Sequence, residues 1–204
     1  MREWLINLDK AKFIDLSYPM QPGMTLLRPI YEELEYKIRY GSVPDVDETG
    51  YPPKGFYARF VNSGSEGLLE GYGTHVEASS HPFGVRGRNI DEYPLSNFIG
   101  PGVVINVTDK VKSDPEYKVT VDDLLTWKRT HGEIPDGAII VLNNGWGDYW
   151  GDYNSYFGVD DRGEYHYPGI TPEACQWLVD NCRINAIGTD TATIDGRPAV
   201  PVPG

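Results

Sequence analysis

The feature that most constrains the fold is a regular alternation of apolar strand segments and helical segments between residues 102 and 195. Three runs are rich in aliphatic residues and bounded by turn residues: "PGVVINVTD", "DGAIIVLNNGW" and "INAIGTDTATID". This pattern is typical of buried strands. A helical segment separates each run from the next. The order therefore predicts an α/β fold with a mixed or parallel sheet and helices packed on it.

The two helical segments carry start and stop signals. In "TVDDLLTWKRTHG", a Thr or Asp cap precedes an apolar face, and Gly132 ends the segment. In "TPEACQWLVDNC", Thr171 occupies the N-cap and Pro172 the first helical position. Cys175 and Cys182 lie two turns apart on this helix, about 10 Å by helical rise. Because that distance is too long for a disulfide, we expect both to be reduced core thiols.

The first hundred residues are less regular. "KFIDLSYPMQPGM" predicts a short buried strand followed by a turn, and residues 19–56 predict a long loop. The glycine-rich run that ends in "EGYGTHVEASS" predicts a further strand over residues 69–78. The sequence contains no repeat and no linker composition, so we expect residues 1–204 to form one domain.

The charge of the chain argues against two classes of partner. It has 30 acidic and 18 basic side chains, a formal net charge of −12. Such a surface repels nucleic acid and anionic membranes. No apolar run approaches the length of a membrane span, and the start "MREWLINLDKAKFIDL" does not resemble a secretory signal. We therefore expect a cytoplasmic protein without nucleic-acid or membrane partners.

Chemistry is concentrated in "EGYGTHVEASSHPFG", residues 70–84, which holds two of the four histidines. On a strand, residues i and i+2 share a face, so His75 and Glu77 should project to the same side. His81 follows four residues after Glu77 and could fold back towards the pair. Imidazole nitrogens and carboxylate oxygens suit Zn²⁺, Mn²⁺ or Fe²⁺. From the residues alone, two interpretations stand: a metal site, or a solvent-facing ion pair.

Six sequence blocks give the chain a family resemblance along nearly its whole length, from about Phe13 to Asp195. They are "FIDLSYPMQPGM", "GTHVEASSHPF", "IDEYPLSNFIGPGVVINV", "LNNGWGDYWGDYNSYF", "YPGITPEACQWLVDN" and "AIGTDTATID". In this order they resemble the cyclase family of metal-dependent hydrolases, which includes bacterial kynurenine formamidase and isatin hydrolase. The resemblance implies a swivelling β/β/α domain that forms a homodimer or homotetramer. It also implies a Zn²⁺ or Mn²⁺ ion that activates water to attack an amide, lactam or lactone carbonyl.

The family signature is His-x-Gly-Thr-His-x-Asp-x-Pro-x-His. By this resemblance, His75 and Glu77 take the places of the second His and the Asp, which bind the metal. His81 takes the place of the last His, the general base or the ligand of a second metal. The sequence departs from the signature where Gly71 replaces the first His, Ser79 replaces the Pro, and Glu replaces Asp. A late family segment with a further His and Glu is also expected to be missing after "GTDTATID".

The resemblance also suggests residues of a substrate pocket. "GTDTATID" matches the family's Asp-Thr-x-Ser-x-Asp segment, which places Asp190 and Thr193 at the active site. Asp190 is equally well explained as a cap of the turn that follows it. Trp146 matches the family's Gly-Trp at the pocket rim. Trp150 and Tyr156 are expected in the core or in an oligomer interface.

Two histidines lie outside the signature. His131 ends a helix, where it is expected to interact with the helix dipole. His166 lies on a loop, where it could reach a pocket, although a surface position is the commoner outcome. Two functions remain open: a metal-dependent hydrolase, or a non-catalytic relative whose metal site has degraded at Gly71.

Overall fold

A computed structural model describes residues 12–18, 73–80 and 87–198 of the chain. The chain divides into two compact units, one of residues 1–24 and 32–77 and the other of residues 25–31 and 78–204. The helices and strands given below all belong to the second unit. No helix within the described ranges is long and apolar enough to cross a membrane. The expectation of a single domain stays a prediction.

The second unit alternates strands and helices. Its strands are β1 (Gly102–Asn106), β2 (Lys118–Val119), β3 (Ile139–Asn143), β4 (Gly169–Ile170) and β5 (Ala186–Thr189). Its α-helices are α1 (Thr108–Ser113), α2 (Val121–His131), α3 (Tyr153–Phe157) and α4 (Pro172–Asn181). Short 3₁₀ helices span Ile90–Glu92, Leu95–Phe98 and Trp146–Tyr149. The α/β fold predicted from the alternation is confirmed.

The strands pair in two sheets, and all the named pairings are parallel. The larger sheet has the order β1-β3-β5, with Ile140 opposite both Val103 and Ile187. The smaller sheet pairs β2 with β4 and sets Lys118 opposite Gly169. Parallel neighbours need a long crossover connection, and α2 and α4 lie in the crossovers from β1 to β3 and from β3 to β5.

The core lies between one face of the larger sheet and the helices α2 and α4. The inward side chains of β1 and β3 are almost inaccessible: Val103, Ile105, Ile140 and Leu142. They meet Leu124 of α2 and Leu178 of α4, which are equally buried. On the other face of the same strands, Val104 and Val141 are 49% and 38% exposed. The alternation of the sequence therefore corresponds to one covered and one accessible face.

The predicted boundaries of α2 and α4 are confirmed. The carboxylate of Asp123 accepts a hydrogen bond from the N–H of the N-cap Thr120 at 2.8 Å, and the helix ends at Gly132 with φ of +92°. In α4, Thr171 Oγ1 accepts from the N–H of Ala174 at 3.1 Å. These bonds satisfy donors that the first turn of a helix otherwise leaves unpaired.

Both cysteines are free thiols, as predicted. Each is only partly exposed, and burial raises the pKa of Cys175 and of Cys182. A raised pKa keeps a thiol protonated and unreactive near neutral pH. Neither cysteine is therefore a candidate nucleophile.

Two predicted strands are wrong within the described residues. Residues 12–18 form no strand, and Phe13, Ile14 and Leu16 are 80%, 64% and 83% exposed. A short apolar run becomes a strand only where a neighbouring strand and a core receive it. Residues 73–78, the described part of the predicted strand 69–78, also have no strand. The predicted loop 19–56 lies outside the described residues.

Candidate functional site

His75 and Glu77 lie side by side in the first unit. Their closest atoms, Nε2 of His75 and Oε1 of Glu77, are 3.5 Å apart. The two side chains are 36% and 47% exposed, so a solute can reach them. The i, i+2 relation therefore brings both groups to one side, although the segment is not part of a sheet.

A backbone contact fixes the imidazole of His75. Its Nδ1 lies 2.9 Å from the carbonyl oxygen of Gly73, and since a carbonyl only accepts, Nδ1 carries the proton. In the neutral ring, Nε2 then presents its lone pair towards Glu77. Gly73 reaches this position with φ of +65°, a conformation that glycine adopts at little cost.

This arrangement fits two ligands of a divalent ion. Metal-binding histidines usually donate their second ring N–H to a carbonyl or carboxylate, as His75 does. Two ligands held about 2.05 Å from a tetrahedral ion are separated by roughly 3.3 Å. The 3.5 Å between His75 and Glu77 is close to that separation. His81 and Gly71 lie outside the described residues, so the predicted role of His81 stays a prediction.

At the carboxyl end of the larger sheet, Asp190 holds the turn that follows β3. Its Oδ1 accepts hydrogen bonds from the backbone N and the Nδ2 of Asn144, at 3.1 and 2.8 Å. Its Oδ2 accepts from the backbone N–H groups of Trp146 and Gly147, at 2.7 and 3.4 Å. Strands β3 and β5 are parallel neighbours, so both end at this edge. Asp190 therefore acts as a cap, but of the turn after β3 rather than of the turn after itself.

Asn144 is a residue of this network that the sequence reasoning missed. Its side chain is 2% exposed, and Nδ2 also donates to Thr189 Oγ1 at 3.1 Å. Its Oδ1 is buried and has no hydrogen-bond partner within the part of the chain that the structure describes. The signal available was the polar pair "NN" directly after an apolar strand, at the edge where α/β sheets bind ligands.

Trp146 packs into the interior instead of lying on the surface. It is 5% exposed, and its indole N–H donates to the carbonyl oxygen of Tyr156 at 2.7 Å. Tyr156 is itself buried and meets Trp150 edge to face at 5.2 Å, which confirms the core position expected for Tyr156. The placement of Trp146 in a substrate pocket stays a prediction.

Thr193 lies within a group of hydroxyls beyond β5. Its Oγ1 is 3.3 Å from the hydroxyl of Tyr167, and its carbonyl accepts from Thr191 Oγ1 at 2.9 Å. Burial raises the pKa of Tyr167, so the phenol stays neutral near physiological pH. The hydroxyls of Thr193 and the neutral Tyr167 can therefore each donate to or accept from the other. The role of Thr193 in the pocket stays a prediction.

A second group of possible metal ligands lies in the loop between α3 and β4. One ligand atom from each of Asp160, Glu164 and His166 lies within 4.8 Å of the others. A hydrogen bond from the backbone of Glu164 is the main reason why the pKa of Asp160 is lowered to about 2. A hydrogen bond to Glu116 raises the pKa of His166. Sequence reasoning named only His166 here, although "DDRGEYH" places all three ligands in one short run.

His131, the other histidine outside the signature, packs at the end of a helix. His131 is the last residue of α2, and its Nδ1 lies 3.1 Å from the carbonyl oxygen of Trp127. Its ring stacks on that of Trp127, with centroids 4.7 Å apart. The predicted location at a helix C-terminus is confirmed, and no role in a site follows from it.

Comparison with known sequences identifies relatives. An isatin hydrolase from Roseibium aggregatum is 30% identical over 138 residues, which are 63% of this chain and 51% of that protein. The chain therefore spans about half the length of the curated relative it matches. The sequence profile of the Cyclase family matches residues 14–196.

Solved structures give the same relationship. Isatin hydrolase A from Ralstonia solanacearum superposes with a TM-score of 0.64 and 28% identity, over 90% of this chain and 68% of that one. Isatin hydrolase A from Labrenzia aggregata bound to benzyl benzoate superposes with a TM-score of 0.66, over 95% and 74% of the two chains. At 24% identity, the second comparison shows the fold alone. Because the family profile extends over residues 14–196, the chain belongs to the Cyclase family.

Proposed function

We propose that this protein is a metal-dependent hydrolase that opens an amide or lactam bond with water. The observation that carries the proposal is the His75–Glu77 pair, in which an oriented imidazole and a carboxylate lie 3.5 Å apart at the family's signature positions. The relatives named above are isatin hydrolases. Isatin is an aromatic ring fused to a cyclic amide, and we propose a lactam of this class as the substrate.

Each residue has a definite part in the proposed reaction. His75 and Glu77 would hold a Zn²⁺ or Mn²⁺ ion, which would polarise the scissile carbonyl and lower the pKa of water. His81 takes a proton from the attacking water and returns it to the leaving nitrogen. The water oxygen bonds to the carbonyl carbon, the C–N bond breaks, and the nitrogen gains the proton. A lactam therefore yields one molecule that carries a carboxylic acid, which releases its proton to solvent near neutral pH, and an amine.

The residues at the sheet edge are proposed to shape the pocket. The carboxylate of Asp190 already accepts hydrogen bonds from four N–H groups, so it serves as a positioning residue for the turn that carries Trp146. Trp146 and Thr193 are our candidates for contacts with the aromatic ring and the polar edge of the substrate. We also propose that the protein works as a homodimer or homotetramer, and a fully active monomer in sedimentation would argue against this.

The first experiment measures metal content and turnover together. Protein purified without chelators or an affinity tag should contain Zn or Mn and should open isatin, followed by the change in its absorbance. His75→Gln removes one ligand and should abolish turnover together with the metal equivalent bound at the His75–Glu77 pair. His131→Gln is the matched control, because His131 lies at the end of α2 and contacts Trp127. Turnover that survives His75→Gln undiminished would refute the proposed mechanism.

A non-catalytic relative is the second candidate, and Gly71 favours it because the family places a metal ligand there. The substitution Gly71→His separates the two candidates. If the wild-type chain does not open isatin, and Gly71→His gains one further equivalent of metal over the wild type, the natural site has degraded. If the wild-type chain already binds metal at the signature site and turns over substrate, Gly71→His should only raise its affinity for the metal.

A further inference from the structure

We propose that Asp160, Glu164 and His166 form a zinc site of their own, oriented by Glu116. None of these four residues belongs to the signature, and the proposal does not depend on hydrolase activity. It rests on the pairing of two strands, the closure of one loop, and the geometry around a single imidazole.

Strand pairing brings His166 to Glu116. Lys118 of β2 lies opposite Gly169 of β4 in a parallel pair, so the residues just before each strand are neighbours. Glu116 lies two residues before Lys118, and His166 lies three residues before Gly169. The imidazole Nδ1 lies 2.5 Å from Oε1 of Glu116, and because a carboxylate accepts, Nδ1 donates. The contact joins residues 50 positions apart in sequence.

Backbone hydrogen bonds hold the loop that carries the other two ligands. The N–H of Asp160 donates to the carbonyl oxygen of Glu164 at 3.0 Å, and the N–H of Gly163 donates to the carbonyl oxygen of Asp160 at 2.9 Å. The N–H of His166 donates to the carbonyl oxygen of Phe157 at 3.0 Å and closes the base of the loop. The backbone that carries the ligands is therefore held by main-chain hydrogen bonds, which form without an ion.

The environment of the second ring nitrogen of His166 is the strongest indication that a metal ion binds here. Nε2 is buried and has no hydrogen-bond partner among the described residues. Its nearest carboxylate oxygen, Oδ2 of Asp160, is 3.5 Å away. Two ligands of a tetrahedral Zn²⁺ are separated by roughly 3.3 Å. A histidine that donates one N–H to a carboxylate and aims its other nitrogen at further ligands has the arrangement of zinc-binding histidines.

Arg162 partly neutralises this group in the absence of an ion. Its Nε lies 3.3 Å from Oδ2 of Asp160, and its Nη2 lies 3.3 Å from Oε2 of Glu164. The Arg162 side chain is 75% exposed, so it can turn into solvent without loss of core packing. The guanidinium and a metal ion therefore compete for the same two carboxylates. Zn²⁺ is the favoured ion because an imidazole ligand discriminates against Ca²⁺ and Mg²⁺.

The test is calorimetric titration of the full chain with Zn²⁺ in a His75→Gln background, which removes the signature site. We expect one equivalent to bind. Replacement of a ligand, in His166→Gln or Glu164→Gln, should weaken it at least tenfold. Glu116→Gln should weaken it about ten- to a hundredfold, although Glu116 is not a ligand. Arg162→Gln should tighten it, because the competing cation is gone.

The controls are His131→Gln and Glu173→Gln, which replace a histidine and a glutamate outside the loop and should leave affinity unchanged. Circular dichroism checks that each variant folds. If His166→Gln does not fold, Glu164→Gln serves as the test of the ligand set, because the Glu164 side chain is 62% exposed and its replacement should not disturb the fold. The proposal is overturned if the His75→Gln protein binds no Zn²⁺, or if Glu164→Gln and Arg162→Gln leave its affinity unchanged. Loss of isatin turnover in His75→Gln bears only on the proposed hydrolase.

Discussion

Asp123 shows how a buried carboxylate is kept charged in this fold. The residue is 8% exposed, and its Oδ1 lies 2.5 Å from Nζ of Lys110 in α1. Its Oδ2 accepts from the hydroxyl of Tyr117 at 2.7 Å and from the N–H of Thr120 at 2.8 Å. Burial raises the pKa of Asp123, but these hydrogen bonds together lower it by more than burial raises it, so the net shift of the pKa is downward.

The direction of that shift fixes a pH dependence. Because the folded pKa lies below the unfolded value of about 3.9, the carboxylate stabilises the protein at pH values above it. That stabilisation is lost as the pH falls below about 4. At pH 7 the substitution Asp123→Asn should lower the free energy of unfolding by about 2 kcal/mol. The difference between wild type and variant should shrink as the pH is lowered, in urea unfolding followed by circular dichroism.

Asp122 supplies the control for this prediction. It is the preceding residue of α2, its side chain is 77% exposed, and its nearest cation, Arg129, is 3.6 Å away. Exposed pairs of this kind contribute about 0–1 kcal/mol. Asp122→Asn should therefore change stability little at any pH. A difference between wild type and Asp123→Asn that stays constant down to the acid transition would contradict the assignment.

At the scale of elements, Gly158 determines how α3 passes into the loop that precedes β4. It ends α3 with φ of +56°, in the left-handed region. A Cβ at this position would lie against the backbone of His166, nearest its carbonyl oxygen. The backbones of Gly158 and His166 lie this close together because the N–H of His166 donates to the carbonyl oxygen of Phe157, the residue before Gly158. The glycine is therefore required for its conformation and also for its lack of a side chain.

These two requirements can be separated by a pair of substitutions. Gly132 also follows a helix with positive φ, +92°, but a Cβ there would meet nothing within 4 Å. Gly132→Ala should cost about 1–3 kcal/mol, the strain of the backbone alone, because φ of +92° with ψ of −163° lies in a region that only glycine adopts readily. Gly158→Ala combines left-handed strain of about 1–2 kcal/mol with a clash against the backbone of His166, and should therefore cost more, about 4 kcal/mol or above, in urea unfolding. Equal losses for the two variants would show that the contact with His166 is unimportant.

At the scale of the whole molecule, the sequence predicted the part of the fold that depends on local signals. Apolar runs such as that around Ile140 and caps such as Thr171 are read from neighbouring residues, and β1, β3, β5, α2 and α4 were all predicted. The strand predicted at Phe13 is wrong because a strand needs partners that alternation does not supply. The pairing of β2 with β4 was not predicted, since each strand has only two residues.

The site depended more heavily on contacts between distant residues. The i, i+2 rule brought His75 to Glu77, because their relation is local. Asp190 binds Asn144 across 46 positions, and spacing alone did not reveal which turn the carboxylate holds. His166 and Glu116 are 50 positions apart, so the sequence did not reveal the carboxylate that orients this histidine. Non-local hydrogen bonds thus account for these two omissions, whereas Asp160, Glu164 and His166 are close in sequence and were overlooked as a group.

The charge of the chain also acts at this scale. With 30 acidic and 18 basic side chains, the molecule carries a net charge of −12, and like charges lie closer together in the folded state than in the unfolded chain. Two like charges about 10 Å apart in water repel each other by about 0.4 kcal/mol. The exposed ion pairs that oppose this repulsion, such as Arg183 with Asp136 at 3.8 Å, contribute little.

Moderate salt should therefore stabilise this protein. An increase in NaCl from about 0.01 M to about 0.1 M shortens the screening length from about 30 Å to about 10 Å. We expect the free energy of unfolding at pH 7, from urea titrations, to rise by an amount on the order of 1 kcal/mol. The control is the same pair of titrations at pH 4.7, close to the sequence pI of about 4.7, where the net charge vanishes and the gain should disappear. A loss of stability with salt at pH 7 would mean that specific ion pairs outweigh the net repulsion, and the ion pairs of Asp123 and of the Asp160 loop would then be the first to examine.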